Sequence, residues 1–319
     1  ETRPSTGVIE PSIPNEIENL KPAPPGMVRG GSMSHAARKL SDRHVLLVAR
    51  LLFGGPMTYS DLKERANVHS DTTLSTRLKV MVQNGLVVRT RTGRSVTYEL
   101  AEAGLDTFTI FVALWEWERK ELGRCNLIFH HACDRLTEAS LNCDQCGHSI
   151  EHSDVELVTG SGHRFEARPK SRHHRRSTTD NDLSFGLIDP VTIGIVGNFW
   201  STTILAGFFG QLRTFGQLAT VLATPTAVLA ERLHDLVRLG VVLPIESERR
   251  GYELTERGRR LYPTMMMFLR WGDRWTGGEL GPPTLHRHVH CGQLFDPCLT
   301  CARCGRVFEH DDTTLALAT

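Results

Sequence analysis

The sequence predicts an α+β, mainly helical protein with two tandem winged helix-turn-helix modules, each followed by a small segment rich in cysteine and histidine. Three observations predict it. An internal repeat covers most of the chain, both copies show the same order of helical and extended patterns, and the cysteines cluster near the end of each copy. The length agrees, because 319 residues with 40% hydrophobic residues can fill more than one core.

The repeat is clearest at its end. CDQCGHSIEHSD (143–154) recurs 158 residues later as CARCGRVFEHDD, and His130-x-x-Cys133 recurs as His288-x-x-Cys291 at the same offset. Further upstream, RLKVMVQNGLVV (77–88) matches RLHDLVRLGVVL (232–243), and YELAEAG matches YELTERG. We therefore interpret the chain as a duplicated unit of about 120 residues with a linker between the copies.

Each copy begins with helical patterns. Apolar runs at 40–53 and 199–210 predict a first helix, and a short second helix follows with Leu62 or Leu218 facing inward. A third helix is predicted after Ser70 in one copy, and after Thr224 and Pro225 in the other. The apolar residues of this helix recur at helical spacing and predict one buried stripe: Leu74, Leu78 and Met81, and then Leu229, Leu233 and Leu236.

The pattern then changes to a hairpin. Gly85 and Gly240 stand where a helix ends in a left-handed residue. The period becomes two in LVVRTRTGRSVTYEL and VVLPIESERRGYEL, with Gly93 or Gly251 as the predicted turn. Two short helices, a helix with a polar outer face and a hairpin make a winged helix-turn-helix.

Residues 183–283 closely resemble an HxlR-type winged helix. The resemblance is carried by LSFGLIDPVTIGIVGNFWSTTILAGFFG, RTFGQLATVLATPTAVLAERLHDLVRLGVV and LTERGRRLYPTMMMFLRWGDRWTGGELGPP. Residues 40–121 look like a more diverged copy, because YSDL, LSTRL and VVRTRTG are present whereas the WGDRW end is reduced to WEWER. HxlR-type proteins are bacterial transcription regulators that usually bind DNA as homodimers, so the resemblance implies an internal pseudo-dimer and a DNA-binding function.

DNA contacts are expected from the third helix and the hairpin of each module. The predicted residues are Thr72, Thr73, Thr76, Arg77, Lys79, Arg89, Arg91, Arg94, Arg232, Arg249 and Arg250. Residues 66–100 hold five basic and two acidic residues, whereas residues 223–257 hold five basic and six acidic residues. The first module should therefore bind DNA more strongly. For Arg77 and Arg232, an ion pair within the module is the alternative to a base contact.

The clustered cysteines predict metal rather than disulfides. A tetrahedral zinc site needs four nitrogen or sulfur ligands. We predict one structural zinc ion in each copy, held by His130, Cys133, Cys143 and Cys146, and by His288, Cys291, Cys301 and Cys304. Each set resembles a short zinc ribbon. His131 and His290 are adjacent alternatives to the chosen histidines, and Cys298 is an alternative ligand in the second set.

These patterns divide the chain into six predicted segments. They are a disordered N-terminal extension (1–39), winged helix 1 (40–124), zinc-ribbon-like segment 1 (125–162), a basic linker (163–181), winged helix 2 (182–281) and zinc-ribbon-like segment 2 (282–319). The linker is interpreted either as a basic arm that follows phosphates or as a solvated tether.

The expected function is sequence-specific transcriptional regulation, as a repressor, with double-stranded DNA as the partner. The alternative is a zinc-ribbon adaptor that binds proteins and not DNA. No catalytic constellation is visible, so no enzyme activity is expected. No apolar run reaches the roughly 20 residues of a membrane span and no signal-peptide pattern is present, so we expect a cytoplasmic protein.

Two further partners are predicted. The Met- and Trp-rich segment LYPTMMMFLRWGDRW (261–275) offers an adaptable apolar surface, which predicts a small hydrophobic effector bound between the modules. The alternative is that this helix packs as ordinary core or pseudo-dimer interface against the helix around Phe111 and Trp115. A second copy of the chain, forming a homodimer, is the other candidate partner.

Overall fold

The structure is a computed structural model, which describes residues 31–162, 188–245, 251–277 and 281–317. The predicted basic linker (163–181), most of the N-terminal extension, and Arg249 and Arg250 lie outside the described residues. None of the helices within the described ranges is long and apolar enough to cross a membrane.

The first copy contains the predicted helices and hairpin in order. Its elements are α1 (Ser32–Leu40), α2 (Arg43–Leu52), β1 (Met57–Thr58), α3 (Tyr59–Arg65), α4 (Asp71–Gln83), β2 (Val87–Thr92), β3 (Ser95–Leu100), α5 (Glu102–Leu105), α6 (Phe108–Leu122), β4 (Asn126–His130), β5 (Arg135–Thr137), β6 (Ala139–Cys143) and β7 (Val155–Thr159). The strands β1, β3 and β2 form one antiparallel sheet, in which β2 and β3 are the wing.

The second copy repeats this order. Its elements are α7 (Pro190–Val196), α8 (Phe199–Phe209), α9 (Phe215–Leu222), α10 (Thr226–Arg238), β8 (Val242–Ile245), β9 (Gly251–Leu254), α11 (Glu256–Arg259), α12 (Tyr262–Thr276), β10 (Thr284–His288), β11 (Pro297–Cys301) and β12 (Thr313–Leu317). The strands β8 and β9 pair as the second wing.

The helix α4 is the predicted third helix of the first module and forms for the reasons that the sequence predicts; we call it and its equivalent α10 the recognition helices, after their expected role. The Ser70 hydroxyl accepts a hydrogen bond from the backbone of Thr73 at 3.3 Å, which caps the first turn. The stripe of Leu74, Leu78 and Met81 is buried in the module core. Gly85 follows with a φ of +72°, the left-handed conformation that ends the helix.

The second recognition helix differs from the prediction in two details. Thr224 does not cap α10: Pro225 holds the N-cap position and the Thr224 hydroxyl is buried without a hydrogen-bond partner. Gly251 is not the turn of the wing, because it is the first residue of β9 and pairs with Ile245. The predicted buried stripe of α10 is present.

The prediction that residues 1–39 form a disordered extension is wrong at the C-terminal end of that segment. Residues 32–40 form α1, which packs against α12 of the second copy. Gly272 allows this contact, since a Cβ there would overlap the Ser32 carbonyl oxygen. The helix was missed because its apolar residues are few and follow a Gly-rich stretch.

The two modules face each other with pseudo-two-fold symmetry. The helix N-caps Asp42 and Asn198 form an antiparallel bridge. The indole of Trp117 donates to the Arg257 carbonyl at 3.1 Å, and the indole of Trp271 donates to the Ala103 carbonyl at 2.7 Å. Since α6 also packs on α12, the contacts join each copy to the other in equivalent ways. This arrangement is the internal pseudo-dimer that the family resemblance implied.

The Cys/His segments are not two separate units. The strand β4 pairs with β12, β7 pairs with β10, and β6 pairs with β11, so each of these ladders joins the first copy to the second. In the β6–β11 ladder Leu141 faces Leu299, its own equivalent in the other copy. The pseudo-two-fold axis therefore passes between these two strands, and we call the joint body of β4–β7 and β10–β12 the shared ribbon.

Candidate metal centres and nucleic-acid interface

The shared ribbon brings the eight predicted metal ligands into two groups. Site 1 contains His130, Cys133, Cys301 and Cys304, and site 2 contains Cys143, Cys146, His288 and Cys291. The residues are those predicted, but their predicted grouping within each copy is wrong. The strand pairing is the physical reason, because it carries the His-x-x-Cys turn of one copy to the Cys-x-x-Cys turn of the other.

The spacing of the ligand atoms fits a tetrahedral ion. A zinc ion about 2.3 Å from each sulfur holds two sulfurs about 3.8 Å apart. In site 1 the Sγ atoms of Cys133 and Cys301 are 3.9 Å apart. In site 2 those of Cys143 and Cys291 are 4.0 Å apart. Within each site, all four candidate ligand atoms lie within 4.8 Å of one another.

The histidines present Nδ1 to the sulfurs. In site 1 this atom of His130 lies 3.3 Å from the Cys304 sulfur and 3.7 Å from the Cys133 sulfur. In site 2 the Nδ1 of His288 lies 3.3 Å from the Cys146 sulfur and 3.4 Å from the Cys291 sulfur. The Nε2 of His130 contacts the Asp312 carboxylate at 3.1 Å, and such a carboxylate orients a metal-bound imidazole.

The Cys-x-x-Cys turns favour thiolate at one position of each site. The amide of Arg303 approaches the Cys301 sulfur at 3.4 Å. Burial raises the pKa of Cys301, but hydrogen bonds from the Thr137 hydroxyl and nearby amides outweigh it and lower the pKa to about 6. The backbone amide of His148 similarly lowers the pKa of Cys146 to about 6. Thiolate is the form that binds metal, so Cys301 and Cys146 suit a metal ion, whereas burial raises the pKa of Cys133 and of Cys143 to about 11.

The alternative ligands lie outside both sites. The His131 ring contacts the Thr314 hydroxyl at 2.9 Å, and the His290 ring packs 4.4 Å from that of His148. The Cys298 thiol donates to the Asn142 carbonyl at 3.5 Å. The histidines that remain as candidate ligands are therefore His130 and His288, whose rings are buried.

The outer face of the first module carries the predicted DNA-contacting groups. Thr72, Thr76 and Lys79 are exposed on α4, whereas Thr73 is half-buried. The wing exposes Arg89, Arg91 and Arg94. Arg77 differs, because its guanidinium pairs with the Asp42 carboxylate at 2.8 Å and so joins α4 to the start of α2.

The arginines of the corresponding second-module stretch already have partners, as far as residues 223–245 and 251–257 are concerned. Arg232 pairs with Asp235 at 2.9 Å and with Glu231 at 2.7 Å. Arg238 lies 3.7 Å from Asp235, and Arg257 donates to the Leu239 carbonyl. The exposed residues of α10 are Thr226, Ala227, Ala230, Glu231, His234 and Arg238.

Sequence reasoning missed how the shared ribbon attaches to the modules. The imidazole of His310 contacts the Phe53 carbonyl at 3.0 Å, and that of His152 contacts the Phe209 carbonyl at 2.9 Å. Each histidine thus meets the end of a helix, α2 or α8, in the other copy. The signal was the repeat of the EH pair in both Cys/His segments, which the zinc prediction left without a role.

Comparison with known proteins agrees with this architecture. A family model described as HxlR-like helix-turn-helix matches residues 39–125 and 195–279, which together make up more than half of the chain. The chain belongs to the HxlR-like helix-turn-helix family. Both matches coincide with the winged modules, so the predicted resemblance and duplication are confirmed.

This HxlR-like chain is similar to proteins named as HTH-type transcriptional regulators. An uncharacterized HTH-type transcriptional regulator of Mycobacterium tuberculosis is 42% identical over 115 residues, which are 35% of this chain and 73% of that protein. An uncharacterized HTH-type transcriptional regulator of Mycobacterium bovis is 41% identical over 115 residues, which are 35% of this chain and 73% of that protein. The solved structure of PA1607, a candidate transcription factor, is 26% identical with a TM-score of 0.37, covering 40% of this chain and 94% of its own. That TM-score adds nothing to the assignment.

Proposed function

We propose that this HxlR-like chain is a cytoplasmic, sequence-specific DNA-binding repressor in which the two winged helices act as an internal pseudo-dimer. One observation carries the proposal: family membership extends over both modules, and the first of them exposes a basic wing beside a polar recognition helix. The relatives named as transcriptional regulators support it. A bound winged helix would repress by occupying the promoter, without any catalytic step.

The two modules are proposed to contribute unequally. Phosphate contacts supply most of the sequence-independent affinity, and these require arginines and lysines that are not already paired. In the first module Arg89, Arg91 and Arg94 are exposed and Arg91 donates to the Gly93 carbonyl at 3.2 Å, whereas Arg232 of the second module pairs with two carboxylates. We therefore assign tight binding to the first module, with Thr72, Thr76 and Lys79 reading bases and the wing contacting phosphates.

Two structural zinc ions per chain complete the proposal. Three sulfurs and one nitrogen per site are a ligand set that zinc prefers. Four protein ligands leave no position for a reactive water, so the ions are expected to stabilise the fold and not to catalyse.

Charge reversal on the wing tests the DNA-binding proposal. Arg91→Glu with Arg94→Glu should weaken binding to all duplexes by about tenfold or more at physiological salt, and should flatten the salt dependence of the dissociation constant. Fluorescence anisotropy over a salt series measures both quantities. Thr76→Ala should instead change which sequences are selected from a genomic fragment pool.

A matched control separates the wing from net charge. Arg259→Glu with Arg306→Glu makes the same change of charge at two exposed positions outside the wing and the Cys-x-x-Cys turns, and should leave affinity within about threefold. An adaptor that does not bind DNA would show no salt-dependent binding with the wild-type protein, and equal losses in both double variants would remove the wing from the proposal.

We also propose control by a small hydrophobic effector, whose binding would require α12 to separate from the helices around it. The run Met265–Phe268 of α12 is buried, and the Trp271 indole is bonded to the Ala103 carbonyl, so a ligand there would have to separate α12 from its neighbours. A cavity of about 10 Å³ in the first-module core, lined in part by Leu46 and Phe111, holds no more than about one water. Titration of flat apolar compounds, with tryptophan fluorescence and DNA affinity read together, tests whether such an opening occurs.

A further inference from the structure

We infer that each metal ion is a clamp between the two copies: site 1 and site 2 each take two ligands from the first copy and two from the second, and together they fix the relative position of the two recognition helices. This inference rests on the proposed DNA-binding function for its consequence, but not for its geometry.

The candidate ligands lie at the ends of strands that pair between the two copies. His130 ends β4, which pairs with β12 along five residues, and the two strands lie in different copies. His288 ends β10, which pairs with β7 in the equivalent way. Cys143 and Cys301 end β6 and β11, which pair across the axis. A metal ion in either site therefore connects the ends of strands whose hydrogen bonds already join the two copies.

The metal is expected to decide whether the shared ribbon is folded. Its sheets have two or three short strands, and small sheets of this size are marginal in water without a further constraint. Metal binding supplies folding free energy in such segments, since the ligands have no preformed arrangement in the unfolded chain.

The shared ribbon is bonded to the helices that carry the DNA-binding modules. The strand β4 follows directly after α6, and the Trp115 indole donates to the Leu127 carbonyl at 3.2 Å. The Arg50 guanidinium of α2 donates to the Leu315 carbonyl of β12 at 3.2 Å. A clamp on β4 and β12 thus constrains both α6 and α2, and through Asp42 and Arg77 it reaches the recognition helix α4.

The second module is attached to the shared ribbon through His152. His152 contacts the end of α8, where Phe209 and Tyr262 surround its ring. Loss of the ions would leave the direct contacts of α1 and α6 with α12 in place, so the modules should stay folded and joined while their spacing becomes less constrained. Binding by both modules to one duplex depends on that spacing, so metal loss should weaken binding more than it lowers helix content.

Metal stoichiometry of paired variants tests the clamp directly. Cys133→Ser with Cys304→Ser removes two ligands of site 1 and should leave one zinc ion, as should Cys143→Ser with Cys291→Ser. The matched same-copy pair, Cys133→Ser with Cys143→Ser, damages both sites and should leave none after dialysis against a competing chelator. Native mass spectrometry of the full chain counts the ions.

The opposite pattern would overturn the clamp. If ligands were grouped within each copy, Cys133→Ser with Cys143→Ser would retain one ion and Cys133→Ser with Cys304→Ser would retain none. Where the same-copy variant fails to fold, the two variants that keep one site still decide between one ion and none. This count does not involve DNA, so it stands even if the proposed function fails.

The consequence for DNA is measured with the duplex that the wild-type protein selects from genomic fragments. Protein stripped of metal should lose at least tenfold in affinity while its far-ultraviolet circular dichroism keeps the helical signal, and added zinc should restore binding. Unchanged affinity in the stripped, helical protein would contradict the role of the ions in setting the spacing.

Discussion

Asp273 is an unusual residue in the contact between the copies. It lies on α12 next to Gly272, and its Oδ1 is buried without a hydrogen-bond partner. Burial raises the pKa of its carboxyl to about 7; a hydrogen bond with the Ser32 hydroxyl opposes this effect and the charge of Asp296 adds to it. An acid whose pKa is higher in the folded state than in the unfolded state releases a proton on unfolding between the two values.

Asp273 should therefore make stability fall as the pH rises. Below its ordinary pKa of about 3.8 both states are protonated, and above about 7 both are ionised, so the loss occurs between these values. Asp273→Asn should remove it, and the variant should gain on the wild type by up to about 1.4 kcal/mol per pH unit between pH 5 and 7. Urea unfolding at both pH values measures the difference. A constant difference across that range would show that the carboxyl titrates normally.

The residues also show what sequence could predict of the site. All eight candidate metal ligands were identifiable, because residue type and spacing alone define a Cys-x-x-Cys or His-x-x-Cys turn. Their grouping into two sites could not be predicted from the sequence. Each copy supplies four ligands, so grouping within a copy and grouping between copies both give four ligands per site. Only the register of β6 against β11 and of β4 against β12 distinguishes the two, and these ladders pair Leu141 with Leu299 and Ile128 with Leu315, which are 158 and 187 residues apart.

Among the elements, the most local ones were the most predictable. The helix α4 has its cap, its buried stripe and its terminal glycine within sixteen consecutive residues, from Ser70 to Gly85, so the sequence contains every signal that defines it. The helix α1 has no side-chain cap and depends on α12 for its burial. A helix that is stabilised by a distant partner leaves little trace in its own sequence.

The α1–α12 contact can be tested through glycine. Gly272→Ala would put a Cβ into the Ser32 carbonyl oxygen, so the two helices must move apart, and we expect a loss of roughly 2–3 kcal/mol in the free energy of unfolding. Gly216→Ala is the matched control, because a Cβ at this position of α9 would meet no atom within 4 Å. The control should be neutral or slightly stabilising. Equal stability of both variants in urea unfolding would mean that α1 does not pack closely on α12.

At the scale of the whole molecule, the pseudo-dimer contact is already satisfied within one chain. The helices α6 and α12 are buried against each other, and the ladders of the shared ribbon are paired between copies of the same chain. The family resemblance implied a homodimer as one possibility, but the surface that a second chain would use is occupied. We therefore expect a monomer that binds DNA with one chain per site.

Sedimentation equilibrium of the zinc-loaded protein, alone and with its selected duplex, measures this stoichiometry. A mass of about one chain, and of one chain plus one duplex, is expected at micromolar concentration. A free dimer, or two chains on one duplex, would show that a further interface exists outside the one described.

Two contacts in this interface occupy equivalent positions but differ in chemistry. The Trp275 indole donates to the Asp106 carboxylate at 2.7 Å, whereas Arg260 pairs with Glu121 at 2.6 Å on the other side of the axis. In a homodimer both places would have to be identical, because one gene encodes them. Here each half matches only the other half of this sequence, so two identical halves should not pair in the same way.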